Sequence, residues 1–289
     1  MDRRIINENR RMMSMVNAFL TQCPTAITPE MLEYVAACGV SRDEAYAILM
    51  AEICGLDACA EREFFNAYFR PMPRMLLPNT YLDDPYRKNI SIPGACAGLC
   101  ALTKMAYAPC EAFVCGDITM DDMGREHVPL GYFADSFDYP ALARDGRVWM
   151  TITPLEIETM RPHIARARGK IAVMGLGLGY YAYMASLKTC VESITVVESD
   201  PQVISLFRDH ILPQFPYGEK LRIIRYDAFD FARNSLPGGK YDYVFCDLWH
   251  DAADGMEMYL RMKALEPLSP ATEFSYWIED TLRCYLLNT

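Results

Sequence analysis

Apolar positions change rhythm along the chain, and each rhythm predicts a different kind of element. Up to about Pro78 they recur at helical spacing. Ala45, Ile48, Leu49 and Ile53 fall on one face, behind Ser41 and Glu44 at the spacing of a capping box. Thr28-Pro29 opens the preceding helix with proline at its first position, Gly39 closes it, Gly55 closes the next, and Asp57 heads a third that stops before Pro71. From about Glu111 to Thr153, short β-rich runs (EAFVCGDI, VPLGYF, RVWMTIT) are broken by Asp, Gly and Pro, which predicts a small antiparallel layer. Thr153-Pro154 then starts a helix over about Leu155 to Arg168, ended by Gly169.

From there the rhythm alternates. IAVMG (171–175), ITVVE (194–198), LRIIR (221–225) and YDYVFCD (241–247) are compact apolar runs, separated by helical stretches at 179–188, 201–211 and 254–265. Near-continuous apolar strands alternating with helices indicate a parallel sheet covered on both faces. The expected architecture is therefore α/β: a helical region over 1–90, a small β-rich region over 91–154, and a Rossmann-like sheet domain over 155–289. After residue 265, Phe274, Trp277, Ile278, Leu282 and Tyr285 sit at helical spacing. No fifth strand is expected there. The sheet reads as truncated on that side, or completed by the N-terminal part or by a second subunit in a homodimer.

The strongest candidate chemistry lies at the ends of these strands. In VMGLGLGYY a buried strand runs into Gly175, Gly177 and Gly179 before a helix opens. Such a chain must turn sharply and let backbone approach a ligand without a Cβ in the way. The dinucleotide fingerprint GxGxxG would need glycine at Tyr180, and GxGxG instead suits a ligand bearing an amine and a carboxylate, which disfavours a nicotinamide-dependent oxidoreductase. Glu198 ends the second strand, where a carboxylate accepts both ribose hydroxyls of an adenosine. Asp227 follows the third strand, positioned to accept from an adenine amine while Ala228 offers its backbone, and Asp247 ends the fourth. All these positions lie at carboxyl ends of strands, where open α/β sheets bind ligands.

The segments MGLGLGYY, VVESDPQVI, YDAFDF and YDYVFCDLWHD resemble class I S-adenosylmethionine-dependent methyltransferases, in particular the spermidine synthase (aminopropyltransferase) branch. The resemblance covers about 110 residues well, and upstream the β layer followed by Asp145-Gly146 and a helix resembles that branch's N-terminal β domain. It implies a cofactor, S-adenosylmethionine or its decarboxylated form, with Gly175, Leu176, Gly177 and Gly179 around the methionine moiety, Glu198 on the ribose, Asp227 and Ala228 on adenine, and Asp247 near the reacting end. Two departures point away from polyamine synthesis. Aminopropyltransferases carry an Asp in the glycine loop where this chain has Leu178, and their DSSDP loop is here Asp247-Leu248-Trp249-His250-Asp251. The Asn/Asp-Pro-Pro-aromatic motif of many methyltransferases is also absent.

A sulfonium donor is already activated, so the protein's task is to align a nucleophile and accept its proton. Asp247, His250 and Asp251 are the catalytic candidates, histidine being the side chain best tuned to neutral pH. Trp149, Thr151, Tyr180 and Tyr181 are candidates to line an acceptor pocket. The favoured reading is an S-adenosylmethionine-binding transferase acting on a small molecule. Its competitor is a non-catalytic nucleoside-binding or regulatory module with the same fold.

Composition narrows the partners. The net charge of −10 is diffuse, whereas a binder of phosphate backbones concentrates Lys and Arg. The N-terminal helices have a helix-turn-helix outline, but the second begins Arg42-Asp43-Glu44 and carries no further basic residue before Arg62, too few donors to read DNA. Nucleic acid is not expected. No apolar run is long enough to span a bilayer, and the first residues lack a signal-peptide pattern. A cytoplasmic location with no membrane partner is the default. The 11 cysteines contain no CxxC pair. Cys96, Cys100, Cys110, Cys115 and His127 do not fall at zinc-site spacings, and no metal is expected.

Overall fold

The computed structural model describes residues 2–288, with side chains through 286. Its tertiary contacts form two units: Met1–Thr80 with Ala106–Asp138 and Arg283–Thr289, and Tyr81–Met105 with Tyr139–Leu282. This grouping cuts across a linear division at 90 and 154, because the β-rich stretch serves more than one sheet. Leu130–Tyr132 pairs with Pro73–Met75 on one side and Phe113–Val114 on the other, whereas Ala95–Ala97, Cys100–Tyr107, Phe137–Arg144 and Arg147–Thr151 form a separate four-stranded sheet. The layer is also not wholly antiparallel, since Pro73–Met75 runs parallel to Leu130–Tyr132.

In the first unit, the helices Arg3–Gln22, Pro29–Ala36 and Arg42–Ile53 begin at side-chain caps. Asp2, Thr28 and Ser41 each accept a free backbone N–H of the first turn. The Ser41–Glu44 pair forms only half of a capping box: Ser41 accepts the Glu44 N–H, but the Glu44 carboxylate pairs with Arg70 at 3.0 Å. Met12, Val16, Phe19, Tyr46, Met50 and Tyr68 close the core of this unit. Tyr46 stacks on Tyr132 at 4.2 Å, and its hydroxyl donates to the Cys110 carbonyl. No helix among the described residues is long and apolar enough to cross a membrane.

The second unit is Rossmann-like. Strands β1 (Gly169–Met174), β2 (Val191–Glu198), β3 (Leu221–Arg225), β4 (Tyr243–Cys246) and β5 (Glu273–Tyr276) form one sheet in the order β3-β2-β1-β4-β5. Every neighbouring pair is parallel. Ile171, Ala172, Val173 and Met174 on β1 and all four residues of β4 are buried, as the centre of a two-faced sheet demands. Parallel strands need long crossovers. Each crossover carries one of the helices Tyr180–Ser186, Pro201–Leu206, Ala228–Asn234 and Ala252–Lys263.

β5 overturns the expectation of a truncated sheet. Residues 273–276 are a strand, and the helical spacing read from Phe274 to Tyr285 is realised only from Glu279 onward, in the helix Glu279–Asn288. The strand EFSY contains no β-branched residue and places Ser275 in the core, where its hydroxyl accepts from Tyr243 at 2.6 Å. Neither property announces a strand in sequence.

Candidate functional site

The site is built at the carboxyl ends of β1, β2 and β4. After Met174 the chain must leave the sheet and enter the helix Tyr180–Ser186. Gly175 has φ +96° and Gly179, immediately before the helix, has φ +77°. Residues with a Cβ seldom adopt such angles, and space forbids a Cβ as well. On Gly175 it would lie 2.0 Å from the Asp247 carbonyl oxygen, and on Gly179 it would lie 2.2 Å from the Phe207 ring. Gly177 is different. Within 4 Å a Cβ there would meet only Met150 Sδ, at 3.7 Å, because this glycine lines an open cavity.

An earlier segment of the same unit braces the turn. The Tyr86 hydroxyl donates to the Leu178 carbonyl at 2.5 Å, and the Tyr180 hydroxyl donates to Asp84 Oδ2 at 3.0 Å. The Tyr86 ring meets Tyr183 edge-on at 5.3 Å. The position that distinguishes this chain from aminopropyltransferases, Leu178, is thus a buried apolar side chain whose carbonyl is held in place.

The cavity encloses about 370 Å³, within the range of roughly 300–1,000 Å³ usual for small-molecule sites. Its wall is acidic. Glu198, at the end of β2, is 8% exposed. Leu176 N–H donates to its Oε2 at 3.1 Å and Asp200 N–H to its Oε1 at 2.8 Å. Two amides therefore fix the carboxylate while each oxygen keeps further acceptor capacity.

Asp247 follows β4, and its N–H donates to the Met174 carbonyl at 2.9 Å. Asp247 lines the cavity. Burial, then the negative charges of Glu156 and Glu198, push this carboxyl up from 3.8 to about 7. Such a group exchanges its proton near neutral pH.

Glu156 opens the helix Pro154–Arg166 and lines the same cavity. Thr151 hydroxyl donates to its Oε1 at 2.5 Å, Thr153 N–H donates to its Oε2 at 2.9 Å, and the Thr153 hydroxyl reaches that same oxygen. Burial raises its proton affinity and these hydrogen bonds oppose the rise.

Basic groups stand at other points of the wall. Arg144 lies 3.3 Å from Asp200 Oδ2, and its guanidinium sits 5.5 Å above the Trp149 ring. Trp149 meets the His250 ring edge-on at 4.0 Å, and His250 Nδ1 is 2.7 Å from Asp254 Oδ2.

Of the residues expected from sequence, Gly175, Leu176, Gly177, Gly179, Glu198, Asp247 and His250 line this one cavity, as do Trp149, Thr151, Tyr180 and Tyr181. Three do not. Asp251 caps the helix Ala252–Lys263, accepting from Ala253 N–H and Asp254 N–H in a capping box with Asp254. Asp227 caps the helix Ala228–Asn234, its Oδ1 accepting from Phe229 and Asp230 at 2.9 Å each. Ala228 is the first residue of that helix. Sequence reasoning missed Glu156, Asp200, Trp249 and Trp277, which also line the cavity. Glu156 stood three residues after Thr153, a capping-box spacing that signals a helix start rather than a ligand site.

No family model matches the chain, and no curated protein matches it. Among solved structures, the spermidine synthase of Thermotoga maritima aligns at 17% identity and a TM-score of 0.35, over 53% of this chain and 59% of that one. A spermidine synthase in complex with the transition-state analogue AdoDATO aligns at 18% identity and a TM-score of 0.34, over the same shares, 53% and 59%. A conserved hypothetical protein of Streptococcus pyogenes aligns at 14% identity and a TM-score of 0.29, over 37% of this chain and 65% of that one. In each case the alignment spans less than two thirds of the other protein.

Proposed function

We propose that the second unit binds an adenosyl sulfonium, S-adenosylmethionine or its decarboxylated form, and transfers an alkyl group from it to a small-molecule acceptor. One observation carries the reading: Glu198, fixed by two backbone amides beside the glycine turn, shares a cavity with Asp247. Glu198 suits a ribose, since it is an oriented carboxylate with spare acceptor capacity. Gly177 leaves room where a side chain would intrude. Glu156 and Asp247 add negative charge to the wall, which favours a ligand bearing positive charge. Tyr226 N–H donates to the Glu198 carbonyl at 3.0 Å, so Asp227 and Ala228 directly follow a residue bonded to the end of β2 and are the candidates for the adenine edge.

The bound sulfonium would supply an activated alkyl carbon. What the chain must add is alignment and a proton acceptor. Asp247, with its proton affinity near neutrality, is suited to take a proton from an acceptor nucleophile. His250, held by Asp254 beside Trp149, is the second candidate.

Thermal shift with S-adenosylmethionine, its decarboxylated form and NAD+ tests the binding. Either sulfonium at a hundred times its Kd should stabilise the protein by about 2.7 kcal/mol, and NAD+ should not. Turnover is read as S-adenosylhomocysteine or methylthioadenosine. Stabilisation by NAD+ alone, or by none of the three at millimolar concentration, would remove the proposal.

Asp247 also predicts a pH dependence. Between about 3.8 and about 7 the folded protein holds a proton that the unfolded chain has released. Stability contributed at this site is therefore greatest at low pH and falls as pH rises toward 7. Asp247→Asn should flatten that slope in denaturant titrations made at several pH values. An unchanged slope would mean that Asp247 does not titrate in this range.

A further inference from the structure

Residues 247–251 connect β4 to the helix Ala252–Lys263 and carry Asp247 and His250 along the cavity wall. In their midst Trp249 is 4% exposed, although Asp247 and Leu248 are half-buried and His250 is exposed. A large ring turned inward from a connection needs a seat, and Gly255 supplies it. A Cβ on Gly255 would lie 2.7 Å from Trp249 Cγ, 2.8 Å from Cδ1 and 3.1 Å from Cδ2. Glycine weakens a helix relative to alanine, and the indole resting against the backbone accounts for one inside this helix.

Two tyrosines flank the indole. Tyr259 meets it edge-on at 6.4 Å, and Tyr276 lies nearly parallel to it at 6.5 Å. Both tyrosines end in one ionic cluster. Tyr259 hydroxyl donates to Glu279 Oε1 at 2.8 Å and Tyr276 hydroxyl to Glu266 Oε1 at 2.7 Å, while Lys263 Nζ stands 3.2 and 3.0 Å from those same two oxygens. No described residue accepts from the Trp249 indole N–H, so packing and not a hydrogen bond sets the place of the ring.

We infer that Trp249 is a positioning residue: seated on Gly255 and flanked by Tyr259 and Tyr276, it holds residues 247–251 so that His250 stands against Trp149 at the cavity mouth. Trp149 and His250 both line the cavity and are both exposed, which places them where it opens to solvent. Their rings meet at 4.0 Å. Asp254 holds His250 Nδ1 at 2.7 Å, but the two side chains are 44% and 38% exposed, and exposed pairs restrain little. The buried indole one residue away is the stronger restraint. The use of His250 as a proton acceptor rests on the proposed transfer, whereas its placement stands for any ligand.

Proton–carbon NMR of the four histidine rings in the full chain reads that placement. His250→Gln assigns the signals, and Trp149→Leu measures how far the Trp149 ring current displaces them. Trp249→Ala should remove at least half of that displacement. Trp249→Phe should keep most of it, because a second aromatic ring can fill the seat and no hydrogen bond is lost. Gly255→Ala should act like Trp249→Ala, since its Cβ must push the indole out. Native His250 signals in folded Trp249→Ala or Gly255→Ala would overturn the inference, as would native signals that Trp149→Leu leaves unmoved. Should both loop variants fail to fold, amide relaxation of the native protein decides: order parameters at residues 248–250 matching those of β4 support a pinned connection, and lower ones refute it. S-adenosylmethionine binding, measured separately on the native protein, distinguishes failure of this inference from failure of the proposed function.

Discussion

Glu198→Gln is expected to weaken S-adenosylmethionine binding by roughly a hundredfold while leaving the protein folded. A hydrogen bond to a charged acceptor contributes about 1.5–3 kcal/mol, and a ribose would offer two donors to this carboxylate. The amide keeps the size of the side chain but turns one acceptor into a donor. That donor would face a ribose hydroxyl, Leu176 N–H or Asp200 N–H, both of which now donate to the carboxylate. The last two outcomes also lower stability, by about 1–3 kcal/mol for one buried amide left unpaired. Calorimetric titration of the variant against the native protein gives the number. An affinity within threefold of native would show that no ribose meets Glu198, and the adenosyl assignment would fall with it.

The second large effect concerns the turn. Gly175→Ala should destabilise the protein by about 2–5 kcal/mol, combining roughly 1–2 kcal/mol for a Cβ at left-handed φ with about 1–3 kcal/mol for overpacking. The overpacking is concrete, since the Cβ would stand 2.0 Å from the Asp247 carbonyl oxygen and must displace backbone. Gly177→Ala supplies the contrast. Its Cβ meets nothing closer than 3.7 Å, so it should cost only the conformational part in stability but intrude on the ligand. Denaturant midpoints and S-adenosylmethionine affinity, measured on both variants, separate these effects. If both substitutions lowered stability equally and neither touched binding, the turn would be structural alone.

Much of the second unit was legible because its signals are local. Each strand run carries its own apolar residues, and the glycines and acids stand directly at strand ends. LRIIR begins and ends where the sequence places it, and the other three runs differ by a few residues. What stayed hidden depends on long-range contact. β5 has no β-branched residue and owes its burial to β4 beside it. Glu156 carries the local signature of a helix start, and only the fold turns that helix toward the cavity. Asp227 and Asp251 show the converse: an acid just before a helix reads equally as a ligand contact or as a cap, and each of these caps its helix and does not line the cavity. In the first unit, Ser41 and Glu44 had the spacing of a reciprocal cap, but Arg70, far along the chain, took the glutamate.

The bond from Tyr86 to the Leu178 carbonyl sets where the parallel-sheet half can be cut free. Judged by its strands, that half would begin near residue 154, and a shortened protein starting there would retain the whole parallel sheet. It would nevertheless lose both tyrosine-mediated restraints on the glycine turn, since Asp84 and Tyr86 lie upstream. A fragment meant to work alone must therefore carry the stretch beginning at Tyr81, and one that omits it would present the right residues on a loop free to drift.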